Sequence, residues 1–127
     1  MAESEYFPCE QAVVVAVRGE IDLVNAEDMR LTLLRAAATP GCTCVVVDLS
    51  RVQFFDASAV RALMSAYRLL TERRRHMVLA EPSAQAARTL NALRLERTFD
   101  IYPIVEAALA HTGRALGNGP GTLGSRR

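Results

Sequence analysis

The fold is decided by residues 45–60, which read VVVDLSRVQFFDASAV. The apolar run that begins at Cys44 and ends at Val47 predicts a buried strand, and Asp48-Leu49-Ser50 follows it. Asp56 is placed to cap a helix predicted over about 57–72, because a carboxylate accepts hydrogen bonds from the free N–H groups of a first helical turn. A short buried strand followed by a long helix indicates an α/β domain.

The predicted helix has two different faces. One carries apolar residues at helical spacing: Val60, Leu63, Met64, Tyr67 and Leu70. The other carries polar residues: Ser58, Arg61, Ser65, Arg68 and Glu72. The first face is therefore expected in the core, and the second is expected to meet solvent or a partner.

Upstream of this segment, the pattern predicts two further elements and an edge strand. Val13–Val17 is a short apolar run typical of a buried strand. Asn25 can cap a helix that ends before Pro40-Gly41 and has Met29, Leu33 and Ala37 on its apolar face. Tyr6 to Cys9 suggests an edge strand, because Pro8 cannot donate a hydrogen bond within a sheet.

Downstream, strands and helices continue to alternate. Met77–Ala80 predicts a strand, Ser83 can cap the next helix, and Leu95, Phe99 and Ile101 suggest another strand before a helix over Ile104–His111. The fold class is therefore α/β, a single domain over 1–111 whose mixed, mostly parallel sheet is covered by about four helices. Five of the seven glycines follow His111, so residues 112–127 are expected to form a flexible tail.

Composition excludes several classes of function. The formal net charge of +1 gives no field that would attract nucleic acid or an anionic membrane. All fifteen basic residues are Arg, so a phosphate-loop lysine and a Schiff-base lysine are excluded. The polar start and the short apolar runs predict neither a secretory signal nor a membrane helix, and the expected location is cytoplasmic.

Acidic, histidine and cysteine side chains are the candidates for chemistry in this sequence. Asp22, Asp48 and Asp56 could together hold Mg²⁺, but turn and cap roles are favoured for them. His76 and His111 belong to no local catalytic signature and are expected at the surface or at a helix end. The predictions are therefore no catalytic residues, no metal and no cofactor.

The three cysteines have two interpretations. Cys9, Cys42 and Cys44 are expected to be small apolar packing residues. In an extended strand, the side chains of Cys42 and Cys44 would point the same way. A redox switch that uses Cys9 with one of the other two stays open.

Residues 45–60 resemble the STAS domain of bacterial anti-sigma factor antagonists, in which a strand, D-L-S and a short connection precede F-hydrophobic-D-S-[ST]-G-L at a helix start. Gly19-Glu20-Ile21-Asp22 is similar to the family's G-E-L-D segment, and the resemblance covers about residues 10–111. It implies partner switching. The unphosphorylated antagonist binds an anti-sigma factor, often an ATP-dependent serine kinase, and so frees a sigma factor for transcription. Phosphorylation of the serine after the motif aspartate releases the antagonist, which itself catalyses nothing.

This sequence departs from the family pattern at the acceptor position. Ala57 follows Asp56 where the family has the phosphorylated serine. Ser58 is the candidate acceptor one residue later, rotated by about 100° around the helix. Three roles stay open for it: a local helix-start residue, an unphosphorylated interface contact, or a shifted acceptor. The resemblance implies a partner-binding surface made of Asp22, Asp56, Ala57, Ser58, Arg61 and Ser65.

Two other functions are alternatives to partner switching. The same fold could be a scaffold subunit of a stress-sensing or transporter-associated complex, which would predict stable oligomers. A nucleotide binder or enzyme is disfavoured, because no glycine-rich phosphate loop precedes a helix. The near-neutral charge and the short chain predict a monomer or weak homodimer whose partner is an anti-sigma factor.

Overall fold

The computed structural model describes residues 11–111 as strands and helices in alternation. The elements are β1 (Ala12–Ile21), α1 (Ala26–Ala37), β2 (Cys44–Phe55), α2 (Ala57–Glu72), β3 (His76–Ala80), α3 (Ala84–Ala92), a 3-10 helix (Leu95–Arg97), β4 (Ile101–Tyr102) and α4 (Val105–Ala110). The edge strand predicted at Tyr6–Cys9 and the tail predicted over 112–127 lie outside these residues.

The strands form one sheet in the order β1-β2-β3-β4. Over the described span all three strand pairs are parallel. Their carboxyl ends therefore lie at one edge of the sheet and their amino ends at the other. The α/β class with four helices is confirmed. None of the helices in this span is long and apolar enough to cross a membrane.

Helices cover both faces of the sheet. Alternate residues of β2 point to opposite sides. Val45 and Val47 join the larger core cluster, to which α1, α2 and α3 contribute Leu33, Leu63 and Leu90. Cys44, Val46, Val78, Ala80 and Ala108 form the smaller cluster, to which α4 contributes Ala108. The start of β2 and most of β3 are therefore buried on both sides, which explains why they read as continuous apolar runs, whereas Val14 on β1 is 43% exposed.

Strand β2 is longer than its sequence indicated. A strand was predicted only to Val47, with a connection before Asp56, but β2 continues to Phe55. β1 stays paired with β2 as far as the pair Ile21 and Phe55, although the register between the two strands shifts twice. Gly19 accommodates the second irregularity at φ +83°, a conformation that is strained for residues with a Cβ.

The strand predicted from Leu95, Phe99 and Ile101 is wrong in part, because only Ile101–Tyr102 is extended. The backbone N–H of Phe99 donates to the carbonyl of Leu95 at 2.9 Å. A helical turn brings both side chains to the core, where they are 8% and 2% exposed. Leu95 and Phe99 are core residues as their spacing suggested, but the backbone between them forms a helical turn and not a strand.

Candidate functional site

The loop between β1 and α1 is held by its own polar side chains. Asp22 Oδ1 accepts from the backbone N–H of Val24 at 3.0 Å. Asn25 Oδ1 accepts from the N–H of Asp22 at 2.9 Å, and Asn25 Nδ2 donates to the Glu20 carbonyl at 2.8 Å. The prediction that Asn25 caps α1 through its side chain is therefore wrong, because that side chain turns back to close the loop.

Two aliphatic residues lie at the tip of this loop and face solvent. Leu23 is 77% exposed and Val24 is 89% exposed. The Asp22 and Asn25 hydrogen bonds fix the backbone on either side of them, so the tip is presented rather than buried. Together they supply apolar surface that association with a partner can bury. Sequence reasoning missed them, although two apolar residues between two turn-forming polar ones were a usable signal.

The start of α2 lies next to this loop. Asp56 Oδ1 accepts from the N–H of Ala59 at 3.0 Å, which confirms the predicted cap. The N–H of Asp56 donates to the carbonyl of Ile21 at 3.3 Å and joins the ends of β1 and β2. Ala57 is exposed at the first helical position, and Ser58 beside it is half-buried.

A shallow groove of about 330 Å³ runs between α1 and α2 at this edge of the sheet. From the β1–α1 loop and α1 it is lined by Leu23, Ala26, Glu27 and Arg30. From α2 it is lined by Ser58, Arg61, Ala62 and Ser65. The structure thus brings three of the predicted surface residues, Ser58, Arg61 and Ser65, into one groove. Asp22 in the β1–α1 loop and Asp56 and Ala57 at the start of α2 lie within two positions of residues that line it.

The groove is polar and carries two arginines. Arg30 forms a two-bond ion pair with Glu27, with N···O distances of 2.9 and 2.8 Å. The hydrogen bond from Arg30 lowers the pKa of the Glu27 carboxyl. Arg61 Nη2 donates to Ser58 Oγ at 3.3 Å. Arg30 is therefore neutralised within the chain, whereas Arg61 has a neutral hydroxyl as its partner in this contact.

The three aspartates considered for Mg²⁺ each make a local backbone contact. Asp48 Oδ1 accepts from the N–H of Ser50 at 2.9 Å, as Asp22 and Asp56 do with residues two and three positions later. The cap role of Asp56 is confirmed and Asp22 lies in a loop turn, but the turn role expected for Asp48 is wrong, because Asp48 lies within β2.

The cysteines that the structure describes lie on opposite faces of the sheet. Cys42 belongs to the larger core cluster and Cys44 to the smaller one. The Cys42 thiol donates to the Cys44 carbonyl at 3.4 Å. The expectation that the two side chains point the same way is wrong, because Cys42 precedes β2 and lies in the loop. Cys9 lies outside the described residues, so a redox switch that uses it stays a prediction.

Both histidines are half-buried and lie close to Cys44. His76 begins β3, and His111 follows the last residue of α4. The expected helix-end position of His111 is confirmed, but the sequence did not predict that Cys44, His76 and His111 meet.

Known proteins share this arrangement of sheet and helices. The family model of the STAS domain matches residues 9–108. An anti-sigma F factor antagonist from Paenibacillus polymyxa is 23% identical over 90 residues, which are 71% of this chain and 77% of that protein. The crystal structure of an anti-sigma factor antagonist from Mycobacterium paratuberculosis superposes with a TM-score of 0.70 at 27% identity, covering 80% of this chain and 85% of that one.

A third comparison agrees in fold. The anti-sigma factor antagonist SpoIIAA in its unphosphorylated form superposes with a TM-score of 0.63 at 22% identity, covering 78% of this chain and 86% of that one. The parallel sheet, the long capped helix and the family match over most of the sequence lead to one assignment: the chain belongs to the STAS domain family.

Proposed function

We propose that this chain is an anti-sigma factor antagonist that binds an anti-sigma factor and catalyses nothing itself. The observation that carries the proposal is the juxtaposition of an exposed aliphatic tip, Leu23-Val24, with the groove that contains Ser58 and Arg61. An apolar anchor beside a polar, partly charged rim is the usual composition of a protein interface. The similarity to anti-sigma factor antagonists supports the choice of partner class.

The proposed interface lies on the carboxyl edge of the sheet. Leu23 and Val24 supply apolar area that is solvated in the isolated domain, and its burial favours association. Arg61 supplies a positive charge at the rim of the groove. Asp22 and Asp56 hold the two loops in place, and their carboxylates are engaged with backbone N–H groups. Their role is therefore to position the surface.

Release from the partner is proposed to differ from the family's usual switch. Ala57 occupies the position of the acceptor serine and has no hydroxyl. Ser58 lies one position further along α2 and contacts Arg61 inside the groove. A phosphate on Ser58 would add about 1.5–2 negative charges to the docking surface. We expect the unmodified chain to bind its partner and to be released by a signal other than phosphorylation of this helix start.

A competition pull-down with a serine-kinase anti-sigma factor from the same cell tests the surface. Wild-type chain should displace the sigma factor, whereas Arg61→Glu should fail, because the reversed charge faces the partner at the rim. Arg88→Glu is the matched control, since Arg88 is an exposed arginine on α3 that does not line the groove. Equal displacement by all three proteins would refute the proposed interface.

Incubation with ATP and the same kinase tests the release mechanism. The intact mass of the chain should stay unchanged, and Ser58→Ala should displace the sigma factor as wild type does. Stoichiometric phosphate that disappears in Ser58→Ala would show instead that Ser58 is a shifted acceptor.

Light scattering of the free chain tests the expected monomer or weak homodimer, and a stable larger oligomer would favour the scaffold function.

A further inference from the structure

Three side chains with metal-binding atoms meet at the amino edge of the sheet, opposite the groove. Cys44 begins β2, His76 begins β3 and His111 follows α4. Their ligand atoms all lie within 4.8 Å of one another. Cys44 is fully buried and the histidines are half-buried, so the group is shielded by protein and still within reach of solvent.

Two of the three separations between the ligand atoms match those of a tetrahedral zinc site, and the third, between Cys44 and His76, is at most 4.8 Å. Cys44 Sγ lies 3.6 Å from His111 Nε2, which lies 3.3 Å from His76 Nδ1. Zinc bonds of about 2.0–2.1 Å to nitrogen and about 2.3 Å to sulfur, at tetrahedral angles, hold ligand pairs about 3.6 Å (S···N) and about 3.3 Å (N···N) apart. Both edges that the structure gives agree with these values.

The outer nitrogens of both rings already have hydrogen-bond acceptors. His111 Nδ1 donates to the carbonyl of Ala108, and His76 Nε2 donates to the Asp100 carboxylate at 3.2 Å. In the neutral rings these bonds place the lone pairs on the inner nitrogens, His111 Nε2 and His76 Nδ1. Two lone pairs then face each other at 3.3 Å, beside a thiol. Such an arrangement favours a cation between them.

The same outer bonds are those that support metal-binding histidines. A ligating imidazole donates its other N–H to a backbone carbonyl or a carboxylate, which fixes the ring and makes it a better ligand. His111 has the carbonyl and His76 has the carboxylate. The ring of Tyr102 also stacks on His111, with centroids 5.5 Å apart and an interplanar angle of 15°. The ring orientations are therefore set before any ion binds.

We infer that Cys44, His76 and His111 bind one Zn²⁺ ion, with solvent as the fourth ligand. One thiolate and two imidazoles form a ligand set that suits zinc, whereas Mg²⁺ and Ca²⁺ require oxygen ligands. Binding displaces the thiol proton of Cys44 to solvent and leaves both imidazoles neutral. The ion would join the end of α4 to the starts of β2 and β3, and its fourth, solvent-occupied position would stay exchangeable.

Zinc titration of the tag-free, reduced, chelator-treated full chain tests the site by native mass spectrometry and ultrafiltration. Wild type should bind one Zn²⁺ per chain. Cys44→Ala and His111→Gln should lose at least 100-fold in affinity. Cys42→Ala is the matched control, because Cys42 is also a buried cysteine but lies on the other face of the sheet, and it should bind as wild type does.

Cobalt substitution gives a readout that needs no variant. Co²⁺ bound to wild type should show a thiolate-to-cobalt charge-transfer band and the intense visible bands of a tetrahedral site. Asp100→Asn, which alters only the outer partner of His76, should keep both spectral features and weaken zinc binding about 10- to 100-fold.

Two results would overturn the inference. One is the absence of stoichiometric zinc binding by wild type together with the absence of the charge-transfer band, which would mean that a proton alone lies between the rings. The other is wild-type affinity in both Cys44→Ala and His111→Gln. Circular dichroism of each variant shows whether it is folded, and the wild-type cobalt spectrum decides the matter if a variant is not.

Discussion

Ser58→Glu should separate the stability of the domain from its binding to the partner. Ser58 is the second residue of α2, directly after Ala57 and the capping residue Asp56. A carboxylate there lies at the positive end of the helix dipole, which favours it by about 0.3–1 kcal/mol. Arg61, already 3.3 Å from Ser58 Oγ, is placed to pair with it. The variant should therefore be slightly more stable than wild type.

The expected size of the effect follows from the length of the chain. Unfolding entropy of about 2.1 cal/mol/K per residue is about 0.27 kcal/mol/K for a chain of 127 residues. A gain of about 0.3–1 kcal/mol then raises the melting temperature by about 1–4 °C. In the proposed complex the same charge would lie against partner groups that suit a neutral hydroxyl. The dissociation constant should therefore rise at least about tenfold, which is a loss of about 1.4 kcal/mol in binding free energy.

Gln85→Glu is the matched control for this charge. Gln85 is exposed and, like Ser58, is the second residue of its helix, α3, after the capping residue Ser83. It should give a similar gain in melting temperature, measured by calorimetry, and leave the dissociation constant unchanged, measured by titration calorimetry. Wild-type affinity in Ser58→Glu, or an equal loss of affinity in Gln85→Glu, would refute the assignment of the groove as the docking surface.

Three further predictions concern the supports of the groove. Asp56→Ala should lower the free energy of unfolding by about 0.5–2 kcal/mol through loss of the α2 cap, whereas Asp56→Asn keeps an acceptor and should cost less; chemical denaturation compares them. Leu63→Ala should cost about 2–5 kcal/mol in the same assay, because Leu63 is fully buried, and a smaller cost would mean that the core closes around the cavity. Arg30→Gln should raise the pKa of the Glu27 carboxyl towards its ordinary value, as measured by NMR titration. In wild type that lowered pKa adds stability above the ordinary glutamate pKa, and the contribution is lost as the pH falls through the lowered value, so an unchanged pKa in the variant would contradict the ion pair.

Features that depend on neighbouring residues could be predicted from the sequence. The bounds of α2, its Asp56 cap and the Ser83 cap of α3 are as predicted. Each depends on contacts within about one helical turn, and the sequence contains all of them. The apolar run at Cys44–Val47 was sufficient to predict the start of β2, because that pattern is also local.

Features that depend on a partner strand, or on the choice between helical and strand periodicity, could not be predicted from the sequence. The continuation of β2 from Asp48 to Phe55 follows from its pairing with the second half of β1, where Arg18 and Glu20 interrupt the apolar run. Leu95 and Phe99 suited either a strand or a helical turn, and the sequence carried no decisive signal between them. The residues that share the groove are positioned by contacts between α1 and α2, which lie 31 residues apart at Ala26 and Ala57.

The meeting of Cys44, His76 and His111 shows most clearly why local patterns were insufficient. His111 is 67 residues from Cys44 and 35 from His76, so no motif could join them. The parallel topology does so, because β2 and β3 begin side by side, with Cys44 paired to His76, and α4 ends beside them. The groove proposed as the docking surface arises in the same way at the other edge, where β1 and β2 end. Since one edge holds the exposed tip and the other the candidate ligands, the proposed binding of an ion and the proposed binding of a partner would not compete for space. Each can therefore be tested by substitutions that leave the other edge intact.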